Sequence, residues 1–324
     1  MLRRFLAVFE PFILMLVGTV LLASFLPPRG GWAPVFDVAA DVGIVLLFFL
    51  HGAKLSREAI LEGARNWRLH LAVFAATYML FPLLGLAITA LPILDSSILA
   101  GLLFLTLLPS TVQSSIAFTS IARGNVAAAV CSASFSNLIG IVLTPALVAL
   151  LMHNMVGAAQ GGVSLASVQT ILLQLLLPFA LGHALRPLIG GWVSRHKQLV
   201  TVVDRGSILL VVYTAFGAAV VEGLWQRVSA PDLAILLAVC VVLLAIVLGA
   251  TWGAAKLLKL DRKDAIVLLF CGSKKSLASG VPMAGVLFPA ATVGMIILPV
   301  MLFHQIQLIA CAIIARRLAK HPEG

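Results

Sequence analysis

The chain has 324 residues, of which 61% are hydrophobic and 10% charged, against roughly 45–50% and 25% in an average soluble domain. At about 20 apolar residues per helical span, this length allows about ten bilayer crossings and leaves no room for a water-soluble enzyme domain. Two tyrosines and no period-2 alternation argue against a lipid-facing β-barrel, and the net charge of +10 reports membrane topology rather than nucleic-acid binding.

Ten apolar segments follow in order, at about 8–26, 34–52, 69–92, 97–121, 126–153, 166–186, 206–222, 232–257, 264–288 and 291–315. The first follows MLRR as a signal peptide would, but Glu10 and Pro11 interrupt it and nine further segments succeed it, so it reads as a span. Lys and Arg in alternate connections divide eighteen to two, with only Arg29 and Arg227 on the poorer side. The positive-inside rule then places both termini in the cytoplasm. Cys131, Cys240, Cys271 and Cys311 are isolated within apolar runs, with neither metal-ligand nor disulfide spacing.

Two basic residues remain, Lys274 and Lys275, near the middle of the ninth segment. The chain divides into halves, 1–160 and 161–324, of five spans each, and an odd number of spans makes the halves inverted. An offset of 163 lays Asp41 and Gly43 on Asp204 and Gly206, and one of 161 lays Gln113, Ser114 and Ser115 on Lys274, Lys275 and Ser276. Segments four and nine also carry polar interruptions at their centres. In segment four Pro109 removes a backbone donor, and Ser110, Thr111, Gln113, Ser114 and Ser115 follow; in segment nine Gly272, Gly280 and Pro282 bracket the lysines. Broken helices are tolerated in hydrocarbon only inside protein or beside water, so two matching breaks predict a binding site at their crossing. Ser120, Ser279 and Gly280 read instead as packing positions. A basic residue at mid-span costs about 2.5–3.5 kcal/mol on insertion scales, and adjacent lysines point about 100° apart on a helix and cannot both snorkel.

At these residues the sequence resembles the bile acid:sodium symporter family, in the branch that holds the seventh member of vertebrate solute carrier family ten and bacterial symporters. The resemblance rests on FFLHGAKLS (Phe48 to Ser56), IARGNVAAAVCSASFSNLIGIVLTPAL (Ile121 to Leu147) and FCGSKKSLASGVPMA (Phe270 to Ala284). It implies an all-α polytopic membrane protein of ten transmembrane helices in two inverted repeats, with helices four and nine crossing. A core domain of spans 3–5 and 8–10 would stand beside a panel domain of spans 1, 2, 6 and 7. The family implies sodium-coupled uptake of amphipathic organic anions, but several ion ligands depart from its pattern. The ninth-span glutamate is replaced by Phe270, the glutamine and asparagine after it by Lys274 and Lys275, and the third-span glutamine by Thr77, five residues before Pro82. The fourth-span Ser-Asn pair falls on Ser114 and Ser115, and the fifth-span hydroxyls on Ala129 and Ala133, with Ser132, Ser134, Ser136 and Asn137 nearby.

The expected function is therefore secondary transport of a small or amphipathic organic anion in the bacterial cytoplasmic (inner) membrane, by alternating access. Lys274 or Lys275 would contact the anion, with Ser276, Gln113, Ser114 and Ser115 as neutral partners. Two lysines in place of a carboxylate and two amides disfavour the two-sodium mechanism and leave a uniporter, an exchanger or a lysine-based proton carrier. The alternatives are a sodium-coupled symporter, with Na+ as its cofactor at Thr77, Ser114, Ser115, Ser132, Ser136 and Asn137, and a non-transporting regulator of ion homeostasis. An enzyme is not expected, since there is neither an H-E-x-x-H motif nor a phosphate-binding P-loop. The partners are the anion and lipid, with no nucleic acid; oligomeric state is not legible. Hinges are expected at the connections Gly52 to Arg68 and Leu188 to Asp204.

Overall fold

The computed structural model describes residues 11–54, 66–152 and 172–320, and every regular element among them is helical. Those of nine residues or more are, in chain order, α1 (Pro11–Phe25), α2 (Trp32–Lys54), α3 (Trp67–Thr89), α4 (Ser96–Leu107), α5 (Gln113–Ile121), α6 (Val126–Leu151), α7 (Leu177–Arg195), α8 (Lys197–Val221), α9 (Ala230–Leu257), α10 (Arg262–Gly272), α11 (Leu277–Leu287) and α12 (Ala290–Lys320). Among the described residues seven helices are long and apolar enough to cross a membrane: α2, α3, α6, α7 with the turn before it, α8, α9 and α12. The fourth and ninth apolar segments are each split, into α4 and α5 and into α10 and α11.

Hydropathy misjudges one connection. The sixth and seventh segments do not end at residue 186 and begin at 206; α7 runs to Arg195 and α8 starts at Lys197, with only His196 between them. Charged Arg186, Arg195, Lys197, Asp204 and Arg205 lower the local hydropathy, yet a helix satisfies its own backbone whatever its side chains meet. Leu188 to Asp204 is thus helical apart from a single residue, not a loop hinge. Of the other expected hinge, residues 55–65 lie outside the described residues, as does the start of the sixth segment.

The chain forms two compact units, each made of three stretches. One unit comprises Met1–Leu55, Val156–Ser229 and Val281–Ile297. In it α2 and α7 touch backbone to backbone: a Cβ on Gly52 would overlap the Phe179 carbonyl oxygen, and one on Gly182 would overlap that of Phe49. Gly43 of α2 meets Ser207 of α8, where an added Cβ would lie 3.2 Å from the serine Cβ. Lys54 pairs with Asp204 between the same two helices, and the Tyr213 hydroxyl donates to the Leu26 carbonyl at 2.8 Å, fixing the chain after α1.

The other unit comprises Ser56–Met155, Ala230–Gly280 and Leu298–Gly324. Its apolar clusters place Val267, Leu268 and Cys271 of α10 against Leu69, Val73, Ala129 and Ala255, and Ile266 and Phe270 against Ala122, Cys311 and Ala315. Asp264 at the start of α10 accepts from Asn125 (2.9 Å) and Asn66 (2.5 Å), and Asn125 in turn caps α6 by accepting from the Ala128 N–H at 3.1 Å. The Ala-Arg-Gly-Asn turn is therefore a joint that ties α3, α6 and α10 together. Gly182→Val, which drives a side chain into the α2 backbone, is expected to cost at least about 2 kcal/mol. Gly191→Val on the exposed face of the same helix, where nothing lies within 4 Å, should cost little, and thermal unfolding in detergent measures both.

Candidate functional site

The site is built on two interruptions, at residues 108–112 between α4 and α5 and at 273–276 between α10 and α11. Their second halves begin at Gln113 and Leu277, three residues out of step with the pairing of Gln113 and Lys274 drawn from sequence. Lys274, Lys275 and Ser276 consequently lie within their break, whereas Gln113, Ser114 and Ser115 already form the first turn of α5. The breaks meet directly, the Ser276 N–H donating to the Pro109 carbonyl at 2.8 Å.

Ending two helices in an apolar interior orphans their last carbonyls, and here several of them find partners across the crossing. The Leu107 carbonyl accepts from Thr144 Oγ1 (2.8 Å) and that of Ser110 from Asn137 Nδ2 (2.7 Å). On the other strand of the crossing, the Phe270 carbonyl accepts from Ser115 Oγ (3.0 Å) and the Cys271 carbonyl from Ser110 Oγ (2.5 Å). The Ser110 N–H donates to Ser136 Oγ (3.0 Å), and Gln307 of α12 brackets Lys275, accepting its N–H and donating to its carbonyl, both at 2.9 Å.

Three further carbonyls go to Lys275. Its Nζ donates to the carbonyl oxygens of Thr77, Thr106 and Leu108, each at 2.7 Å, and lies 4.2 Å from the centre of the Phe81 ring. Three donors thus meet three acceptors. Thr77 can supply its carbonyl because α3 is wound as a π-helix over Ala76–Leu80, where the Phe81 N–H reaches back five residues to Ala76. Pro82 then has no N–H to offer the displaced carbonyls.

Lys274 is also fully buried, but its Nζ has no hydrogen-bond partner among the described residues. It lies 4.0 Å from the Phe118 ring centre and 5.2 Å from that of Phe270. Phe270, at the position where the resemblance implies a carboxylate, therefore supplies a π-face to a lysine.

Most of the other candidate residues are engaged in hydrogen bonds of their own, some at the crossing and some on neighbouring helices. Ser276 Oγ donates to Ser279 Oγ at 3.1 Å, and Ser279 Oγ to Asn137 Oδ1 at 2.8 Å. Ser114 and Ser115 both meet Thr111 Oγ1, at 2.7 and 2.9 Å, while Gln113 is exposed. Thr77 Oγ1 donates to the Val73 carbonyl (2.8 Å), Ser132 Oγ pairs with His70 Nδ1 (2.7 Å), and the Ser136 carbonyl accepts from the Tyr78 hydroxyl (2.7 Å). Gly280 packs on Leu108, as a packing position should. The residues missed from sequence are Gln307, Thr144 and Tyr78. A signal for Gln307 existed in FHQIQL (Phe303 to Leu308), a polar run inside the last apolar span. Gln307→Leu leaves a buried N–H and a buried carbonyl of Lys275 unpaired, at about 1–3 kcal/mol each. A lower midpoint than that of wild type in thermal unfolding is expected, with Gln307→Glu, which keeps the acceptor, less affected.

Residues 10–320 match the SBF-like CPA transporter family. YfeH of Escherichia coli (strain K12) is 54% identical over 318 residues, 98% of this chain and 95% of that protein. PA2026 of Pseudomonas aeruginosa is 55% identical over 313 residues, 96% of this chain and 93% of that one. Sodium/bile acid cotransporter 7 of Rattus norvegicus is 24% identical over 311 residues, covering 92% and 88% of the two chains. The chain belongs to the SBF-like CPA transporter family, and is a multi-pass membrane protein and secondary transporter, not an enzyme.

Proposed function

We propose that the chain carries a small or amphipathic organic anion across the bacterial inner membrane without sodium coupling. In this reading ten spans form two inverted repeats with both termini in the cytoplasm. A core domain of spans 3–5 and 8–10 would rock against a panel domain of spans 1, 2, 6 and 7 to give alternating access.

The two lysines at the crossing carry the reading. Lys275 has spent its three donors on backbone carbonyls, so Lys274, whose ammonium has no hydrogen-bonding partner among the described residues, is the residue we assign to the anion. An unpaired ammonium buried in an apolar core is costly, and a carboxylate, sulfate or phosphate supplies the missing acceptors with the right charge. Gln113, exposed at the start of α5, would add neutral hydrogen bonds, with Ser114, Ser115 and Ser276 doing so on exchanging their present partners, and the start of α5 a positive potential.

Sodium fits poorly. The oxygens first considered for it, on Thr77, Ser114, Ser115, Ser132, Ser136 and Asn137, are all neutral, and the same unit buries the amino groups of Lys274 and Lys275, which as ammonium ions repel a further cation. Asp264, the acid nearest in sequence to the second break, is committed to Asn66 and Asn125. Pure protein in liposomes, screened with labelled organic anions in sodium, potassium and choline salts, tests both parts of the reading. Saturable uptake or exchange of the same size in all three salts is expected; a specific sodium requirement overturns the coupling, and no flux of any anion in any salt overturns transport. For an anion that is carried, Lys274→Gln should weaken binding about tenfold or more, the loss of one charge-assisted contact, as read by isothermal titration.

A further inference from the structure

We infer that the crossing contains a site for a monovalent cation and that Lys275 is its built-in occupant. The three carbonyls around Lys275 Nζ come from two separate segments, Thr77 from α3 and Thr106 and Leu108 from the end of α4 and the break after it. Each is freed by its own backbone device. Thr77 is displaced by the π-turn and by Pro82, which lacks an N–H. Thr106 would normally accept from the Ser110 N–H, which goes to Ser136 Oγ instead, and Leu108 lies beyond the last turn of α4. A helix broken for flexibility alone has no reason to aim three carbonyl oxygens at one point.

Three converging carbonyl dipoles with no carboxylate are the chemistry of an alkali-ion or ammonium site, where neutral oxygens replace a hydration shell. The equal 2.7 Å distances fall in the range of charge-assisted bonds, and the Phe81 ring, 4.2 Å away, adds a negative π-face. Gln307 holds both the N–H and the carbonyl of Lys275, so the root of the side chain is clamped and the ammonium cannot be released. The site is permanently loaded. As a statement about transport, that a bound ion has been replaced by a covalent one, this rests on the function proposed above. As a statement about the site it concerns the folded chain alone and is tested without any transported solute.

Lys275→Ala removes three methylenes and the ammonium, the heavy atoms of n-propylammonium. The variant is purified in detergent with and without propylammonium chloride, and its Tm is followed against propylammonium, 1-propanol and choline. A Tm lower than that of wild type is expected, raised saturably by propylammonium and not by choline or by 1-propanol, which fills the space without charge; the wild type stays flat. A response to 1-propanol equal to that with propylammonium, or no response to propylammonium, overturns the inference. Lys275→Met covers the case in which the alanine variant does not fold, because it restores volume without charge. It should have a Tm below that of wild type that propylammonium cannot raise, and a Tm equal to the wild type's means that no cation is needed there. Transport can fail in liposomes while this titration succeeds, and the reverse, so the two readings are separable.

Discussion

A backbone polar group inside an apolar phase must find a partner, and the whole crossing is organised by that requirement. A continuous helix meets it internally, and a chain with two interrupted helices must meet it from elsewhere. Here each break answers much of the other's need. Ser276 donates to Pro109, Ser110 to Cys271 and Ser115 to Phe270, so the two interrupted segments become one hydrogen-bonded object. The helices beside them add Thr144 and Asn137 from α6 and Gln307 from α12. Interrupted helices of this kind are often described as flexible, but a break in which most of the freed carbonyls named above have their own donors is a rigid feature. Movement should therefore carry the crossing as a body rather than deform it.

Adjacent lysines of identical chemistry end in opposite situations because the break turns them apart. One points into converging carbonyls and aromatic faces, the other into Phe118, Phe270 and the apolar cluster with Cys311. A structural lysine and a lysine with capacity to spare are thus distinguished by what each nitrogen meets, a property of the fold that no reading of the pair as a motif contains.

Much of the architecture was legible in the sequence because it follows from strong, additive signals. Apolar runs marked the helices, and Pro109, Gly272 and the two lysines marked both breaks. The misjudged stretch around Arg186 to Arg205 shows the limit of that signal, since hydropathy reports what surrounds a helix and not whether the backbone is helical. The gathering of Ser110, Ser115, Ser276, Asn137 and the lysines could be anticipated, since polar residues in hydrocarbon need one another. Their individual partners could not. The acceptors that decide the role of Lys275 are main-chain carbonyls, which every residue has, and they are exposed by a π-turn whose sequence, ATYML followed by FP, is unremarkable. Gln307 illustrates the other loss: it lies 32 residues from Lys275 along the chain, and only the packing of α12 brings them together.

A cation that drives transport does so by being bound in one state of the carrier and free in another, or by reaching different compartments from each. A ligand present with equal affinity in both states shifts neither, however tightly it is held. A lysine ammonium fixed at both sides of its own backbone reaches no compartment and has no concentration. Substituting it for a dissociable ion keeps the electrostatic support of the crossing and removes the means of coupling to an ion gradient at that point. If Lys275 is the fixed cation, any accumulation of the anion must draw on something bound and released elsewhere, and the group at the crossing left to do so is Lys274. A monovalent anion facing that single unspent ammonium would cross as a neutral pair, which lowers the cost of moving the loaded core through the low-dielectric part of the membrane. On the function proposed above, the empty core would move with its ammonium uncompensated, at higher cost, so the loaded form would exchange sides more readily and the cycle would favour exchange of one anion for another over net uptake.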